Sequence, residues 1–168
     1  MRKFLLHWIR KLGGSLFFLG YIPLMPGTIG SLVTVGLLWY FRDTVARYFT
    51  VQYAVSFWLL YLLFLVVAIF LSNKAKDIFG ADDPKQIIID ECAGQLITFF
   101  LIPFSWRILI LGFLLFRFFD VVKPFPVHKF EEIEDGVGIV MDDVAAGVMA
   151  NISLFTILWV YHGISSHL

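Results

Sequence analysis

The chain has 168 residues, a formal net charge of zero, 60% apolar residues and only 15% charged ones, whereas soluble domains are roughly half apolar and about a quarter charged. That balance points to lipid, and the dispersal of the basic residues excludes the electrostatic footprint of a nucleic-acid-binding protein. A lone cysteine, Cys92, excludes an internal disulfide.

In chain order, residues 1–14, "MRKFLLHWIRKLGG", are basic and apolar and are not followed by a small-residue cleavage site, so they read as an interfacial helix of the mature chain rather than a signal peptide. Leu16 to Met25 and Ile29 to Phe41 read as two helical pieces separated by "PGTIGS", with a turn at Pro26 and Gly27 and with Thr28 capping the second piece. Val51 to Ser72 carries no charge and is long enough at 1.5 Å per residue to cross a bilayer core of ~30 Å. Cys92 to Phe104 and Ile108 to Phe119 flank "PFSW" and read as a helical hairpin whose arms, roughly 20 Å each, are short for independent spans. Val144 to Tyr161 is the last span, with Trp159 and Tyr161 suited to its far interface. The expectation is an all-α, membrane-embedded bundle of about six helices, some short or re-entrant, with no linker or internal repeat dividing it.

Following these segments back and forth brings every unusual polar cluster to one face. Lys74, Lys76, Lys85, Lys123 and Lys129 fall in loops on that face, which the positive-inside rule assigns to the cytosol. Asp90 and Glu91 begin a helix there, Arg117 and Asp120 share a face three residues apart, and Asp142 and Asp143 precede an apolar run. Each feature has a structural reading. Asp90 and Asp142 fit helix capping, Arg117 and Asp120 fit an intrahelical pair, and Lys123, ahead of Pro124, fits snorkelling to lipid headgroups. Together, clustered carboxylates beside two or three cations suit a phosphate bridged by Mg²⁺, in which hard oxygens hold the ion and Arg or Lys meets the phosphoryl oxygens. "PGTIG" offers backbone N–H groups at a helix start but fits a plain turn equally. Cys92 lacks an arginine six positions on, where Thr98 stands, so it reads as a core residue rather than a thiol nucleophile; His7, His128, His162 and His167 have no metal-ligand spacing.

"PGTIGS", "KAKD" followed by "DDP", "IIIDECAGQLIT", "FRFFDVVKPFP" and "GVGIVMDDVAAG" resemble, in that order from Pro26 to Gly147, the motifs of the phosphatidylglycerophosphatase A family. The resemblance implies one domain over residues 1–168 in the bacterial inner membrane, multi-pass, with its active site facing the cytosol. It further implies a Mg²⁺-dependent phosphatase that converts phosphatidylglycerophosphate to phosphatidylglycerol. The implied site is Asp90, Glu91, Asp142 and Asp143 as metal ligands and catalytic groups, joined by Asp120, with Arg117, Lys123, Lys76 and Thr28 toward the substrate phosphate. Attack by an ion-activated water and an aspartyl-phosphate route both stay open. The competing class is a small ion or metal transporter using the acidic pairs as a cation site; its site would lie near the bilayer midplane between repeats. No oligomeric state follows from the sequence.

Overall fold

The structure is a computed structural model that describes residues 1–23 and 25–165; His167 lies outside the described residues. Among the described residues the chain is all-helical, with eight α-helices joined by short 3-10 turns and no strand. They are α1 (Arg2–Gly14), α2 (Pro26–Tyr40), α3 (Arg42–Val45), α4 (Ala54–Ser72), α5 (Ala75–Phe79), α6 (Ile89–Thr98), α7 (Trp106–Val122) and α8 (Asp135–Ser165). Two stretches, Val51–Ser72 and Asp135–His162, are long and apolar enough to cross a membrane.

The shortest of the central helices organises the rest. α6 packs most heavily on α8 and also touches α1, α2, α4 and α7, so that all but two of its ten residues are buried. Small side chains allow this. A Cβ added at Gly94 would run into the backbone of Asp143 and the ring of Phe116, and one added at Gly147 would run into the carbonyl of Gly94. With Ala93, Ala146 and Ala150 fully buried beside them, α6 and α8 meet backbone to backbone, the close approach that small residues permit in apolar bundles. The Thr98 hydroxyl, which donates to the Gly94 carbonyl within α6 at 2.9 Å, also reaches the Gly147 carbonyl of α8 at 3.4 Å. Asn151 of α8 then ends α6, its amide donating to the carbonyls of Thr98 at 2.9 Å and Phe100 at 2.8 Å. On the other side Tyr61 of α4 donates to the Ala93 carbonyl at 3.0 Å. An aromatic layer of Phe49, Phe57, Tyr61, Phe99 and Phe104 fills the opposite end of the bundle.

Four expectations are corrected. Leu16–Met25 does not form the expected helix: among its described residues Leu16, Phe17 and Phe18 all take left-handed φ values (46°, 56°, 68°), the buried Ser15 hydroxyl accepts the Phe18 N–H at 3.1 Å, and only a 3-10 turn forms at Leu19–Tyr21. Pro26 and Gly27 are not a turn but the first residues of α2, where proline loses nothing because that N–H has no helical partner. Thr28 therefore lies inside the helix, and the N-cap is Met25. The first arm of the hairpin stops at Thr98 rather than Phe104. The last helix starts at Asp135, nine residues ahead of Val144, running through two glycines that lowered its apparent propensity.

Candidate active site

Asp90 opens the first turn of α6 and Gly94 follows it by four; Asp143 lies on α8 and Gly147 follows it by four. Residues four apart share a helix face, so the glycine contact that joins the helices also sets their carboxylates against each other. Carboxylate oxygens of Asp90, Glu91 and Asp143 come within 4.8 Å of one another, and Asp90 and Asp143 are only 7% and 5% exposed. The capping readings fail here. α6 is capped by Ile88 without a side-chain bond, and Asp142 and Asp143 lie in the third turn of α8, where no free N–H groups remain to be capped. Asp90 and Asp142 each turn one oxygen to the next backbone N–H, at 3.0 Å and 2.8 Å, which fixes their rotamers.

The ends of α2 and α7 complete the site. Gly27, in the first turn of α2, lies so close that a Cβ there would overlap Glu91 Oε1 and press on Arg117 Nη1. Arg117 Nη1 sits 2.6 Å from Asp120 Oδ2 in the anticipated intrahelical pair, without hydrogen-bond alignment, and Glu91 Oε2 is buried with no partner at all. Lys123, at the left-handed C-cap of α7, does not snorkel outward. Its Nζ bridges Asp142 Oδ2 at 2.7 Å and Glu131 Oε1 at 2.6 Å. Burial works against its charge, but the hydrogen bonds to Asp142 and Glu131 outweigh that and raise its pKa above the ordinary lysine value.

These groups share a cavity of about 540 Å³, lined by six carboxylates (Asp83, Asp90, Glu91, Asp120, Asp142, Asp143) and three cations (Lys85, Arg117, Lys123). Two of those cations are already committed to carboxylates. On α6, too short at ten residues to cross a membrane, burial pushes Asp90 up to about 6 against its hydrogen bonds with Glu91. Burial, seconded by the Asp90 charge, holds Glu91 well above the usual carboxylate range. Such a pair ionises together only beside an added cation. Oxygen donors without histidine or thiolate, one of them an orphaned buried oxygen, fit a hard divalent ion.

Of the residues singled out in the sequence, the structure brings together Asp90, Glu91, Arg117, Asp120, Lys123, Asp142 and Asp143. Asp142 stands apart from the carboxylate trio and serves Lys123 instead. Lys76 is not with them: its side chain is 72% exposed and paired with Asp82 in a neighbouring cavity. Thr28 does not line the cavity, whose α2 wall is Met25, Pro26 and Gly27. Sequence reasoning missed Glu131, the second partner of Lys123, and the contact of Gly27 with Glu91; Glu131 lies in an acidic loop and carries no local signal.

A helical bundle with a buried carboxylate trio beside Arg117 and Lys123 has the makings of a metal-assisted phosphate site, and the comparisons give the class and the particular family. The profile described as Phosphatidylglycerophosphatase A matches residues 12–158. Two proteins named phosphatidylglycerophosphatase A, from Haemophilus influenzae and Escherichia coli, are 36% and 31% identical; the matches cover 82% and 78% of this chain and 82% and 73% of theirs. A protein of Bacteroides thetaiotaomicron, provisionally named phosphatidylinositol-3-phosphatase, is 36% identical over 88% of this chain and 92% of its own. No solved structure matches the chain. The chain belongs to the phosphatidylglycerophosphatase A family and is a phosphoric monoester hydrolase acting in phospholipid metabolism; of the two classes the sequence left open, it is the enzyme.

Proposed function

We propose that the chain, acting as one unit over residues 1–168, hydrolyses the terminal phosphomonoester of phosphatidylglycerophosphate at the cytosolic face of a bacterial inner membrane, giving phosphatidylglycerol and inorganic phosphate. The observation that carries the reading is the trio of buried carboxylates within 4.8 Å beside two cations, in a chain whose relatives include two phosphatidylglycerophosphatases. Asp90, Glu91 and Asp143 would hold Mg²⁺, with Asp142 as a further ligand when Lys123 turns to substrate. When bound, the ion supplies Lewis-acid polarisation of the phosphoryl group and lowers the pKa of water.

The protein's own residues divide the remaining work. Arg117 presents a planar donor fork that Asp120 holds in place, so it can meet two phosphoryl oxygens in a fixed orientation. Lys123 offers a charge that need only exchange one carboxylate partner for phosphate, and both groups offset the charge that spreads over the equatorial oxygens in the transition state. In the net step a P–O bond to water forms, the P–O bond to the glycerol carbon's oxygen breaks, and that oxygen takes a proton to become the headgroup hydroxyl. Asp120, beside Arg117, would accept the proton that the attacking water gives up.

The Bacteroides relative supports a second substrate, phosphatidylinositol 3-phosphate; both are phosphomonoesters on a polyol headgroup. The test is phosphate release by the purified protein from each lipid, from phosphatidic acid and from glycerol phosphate, with Mg²⁺ and with a chelator. Preference for phosphatidylglycerophosphate, abolished by chelation, is the expected result. Preference for the inositol lipid would reassign the substrate, and full activity under chelation would remove the metal.

A further inference from the structure

The carboxylate cavity has two unlike sides. On one, between the first residues of α2 and the last turn of α7, it is lined by Met25 and Val121, themselves 66% and 67% exposed. Val121 is flanked along α7 and the following loop by further exposed apolar side chains, Phe118, Val122 and Phe125. On the other side, Asp83, Ile139 and Asp142 also line a second cavity of about 680 Å³, whose walls carry eight carboxylates and two lysines, among them Asp82, Glu132, Glu134, Lys74 and Lys76. One mouth is flanked by apolar side chains and the other by charge.

We propose that the phospholipid substrate enters laterally through the Met25–Val121 mouth, its acyl chains remaining against Phe118, Val122 and Phe125, while the charged vestibule is the aqueous side through which water arrives. The inference rests on the lipid-phosphatase reading above. Each methylene carried from lipid into water costs about 0.8 kcal/mol, so long acyl chains cannot follow the headgroup through a vestibule of ionised groups. The headgroup must reach Arg117 and Lys123 from a side where apolar surface continues up to the cavity, and among the described residues lining it Met25 and Val121 supply that side. The vestibule also disfavours dissolved anionic phosphate esters, because its carboxylates outnumber its lysines four to one. The selectivity for a membrane-held substrate then comes from access as well as from contacts at phosphorus.

The experiment compares long-chain phosphatidylglycerophosphate in mixed micelles with a dihexanoyl analogue dissolved as monomers, using the full chain and the Met25→Trp, Val121→Trp and Leu59→Trp variants. Leu59 is an equally exposed apolar residue on α4, away from the cavity. Met25→Trp and Val121→Trp are expected to lower kcat/KM for the long-chain lipid at least tenfold while changing the dihexanoyl substrate less than threefold, and Leu59→Trp to change neither. Equal loss on both substrates, or loss on neither, overturns lateral entry. A wild-type protein that hydrolyses neither lipid fells the phosphatase reading and this inference with it, an outcome distinct from indifferent variants. If a tryptophan variant does not fold, a phospholipid with a photoreactive acyl chain decides on the wild-type protein. Label at residues 118–125, displaced by substrate, supports the mouth, and label confined to α4 overturns it.

Discussion

Two acidic regions lie side by side at one end of the bundle and behave differently. In the vestibule the carboxylates other than Asp142 are solvated: Asp82 is 80% exposed and its pair with Lys76 spans 3.1 Å at the surface, an arrangement worth a fraction of a kcal/mol to about 1 kcal/mol. At the α6–α8 crossing Asp90, Glu91 and Asp143 are packed by helices on several sides, and Glu91 keeps a buried oxygen without a partner. The same chemical group is a solvating ornament in one place and an energetic liability in the other. What separates them is the glycine-mediated approach of two helix backbones, so packing, rather than the number of acidic residues, marks the reactive end.

The widest break between the regions is expected from charge removal at constant size. Asp143→Asn and Asp90→Asn should each lower turnover at least a hundredfold, roughly 2.7 kcal/mol of barrier, while holding or raising the melting temperature in the absence of Mg²⁺, since each relieves clustered like charges. Asp82→Asn and Glu132→Gln should stay within twofold of wild type in the same phosphate-release assay. Comparable losses in both sets would erase the distinction. Next in size, Gly147→Val places a branched side chain against the Gly94 carbonyl. It should cut activity by about tenfold and lower the thermal midpoint by several degrees, through helix separation rather than lost chemistry. Restored activity at raised Mg²⁺ would point instead to a purely metal-binding effect.

Much of this end was legible in the sequence because charges inside apolar segments are conspicuous and because the segments could be followed from side to side. Asp90, Glu91, Arg117, Asp120, Lys123, Asp142 and Asp143 all reach one cavity. The misreadings have one physical origin, that local propensity was overridden by packing. Asp135 to Asp143 contains two glycines and polar residues and reads as a loop, yet it is helical as the start of α8, packed against the end of α4. Leu16 to Met25 is apolar enough for a helix but breaks after Ser15, where Gly20 must pass close against the backbone of Gln86. Lys76 and Thr28 carry motif-like neighbours, and only tertiary distance separates them from the site. Glu131 shows the reverse: nothing near it in sequence announces a partner for Lys123.

Lys123 joins the two regions, since one of its partners is the half-exposed Glu131 and the other the buried Asp142. Lys123→Met should raise KM about tenfold with a smaller fall in kcat and leave Mg²⁺-dependent stabilisation in place, as expected if it meets the substrate phosphate and not the ion. Glu131→Gln should change KM less than threefold, because Asp142 still orients the ammonium group. Loss of Mg²⁺-dependent stabilisation in Lys123→Met would place the lysine in the support of the ion's ligands.

The smallest expected effect tests whether burial alone confers a role. Cys92 follows Glu91 directly and is buried, but its Sγ faces the carbonyls of Ile88 at 3.4 Å and Gly30 at 3.6 Å, with no cation beside it. Burial outweighs a hydrogen bond with Thr34 and keeps the thiol protonated, so it acts as a small apolar filler. Cys92→Ala should therefore leave kcat/KM within twofold and cost about 1 kcal/mol of stability, the size of a small cavity between α2 and α6. The measurements are phosphate release and thermal melting on the same preparation, with a thiol-modifying reagent on wild type as a companion. A folded Cys92→Ala protein without activity would mean that proximity to the carboxylate trio, even without charge, is enough to make a residue part of the chemistry. The contrast between the two acidic regions would then have to be redrawn around position in the cavity instead of buried charge.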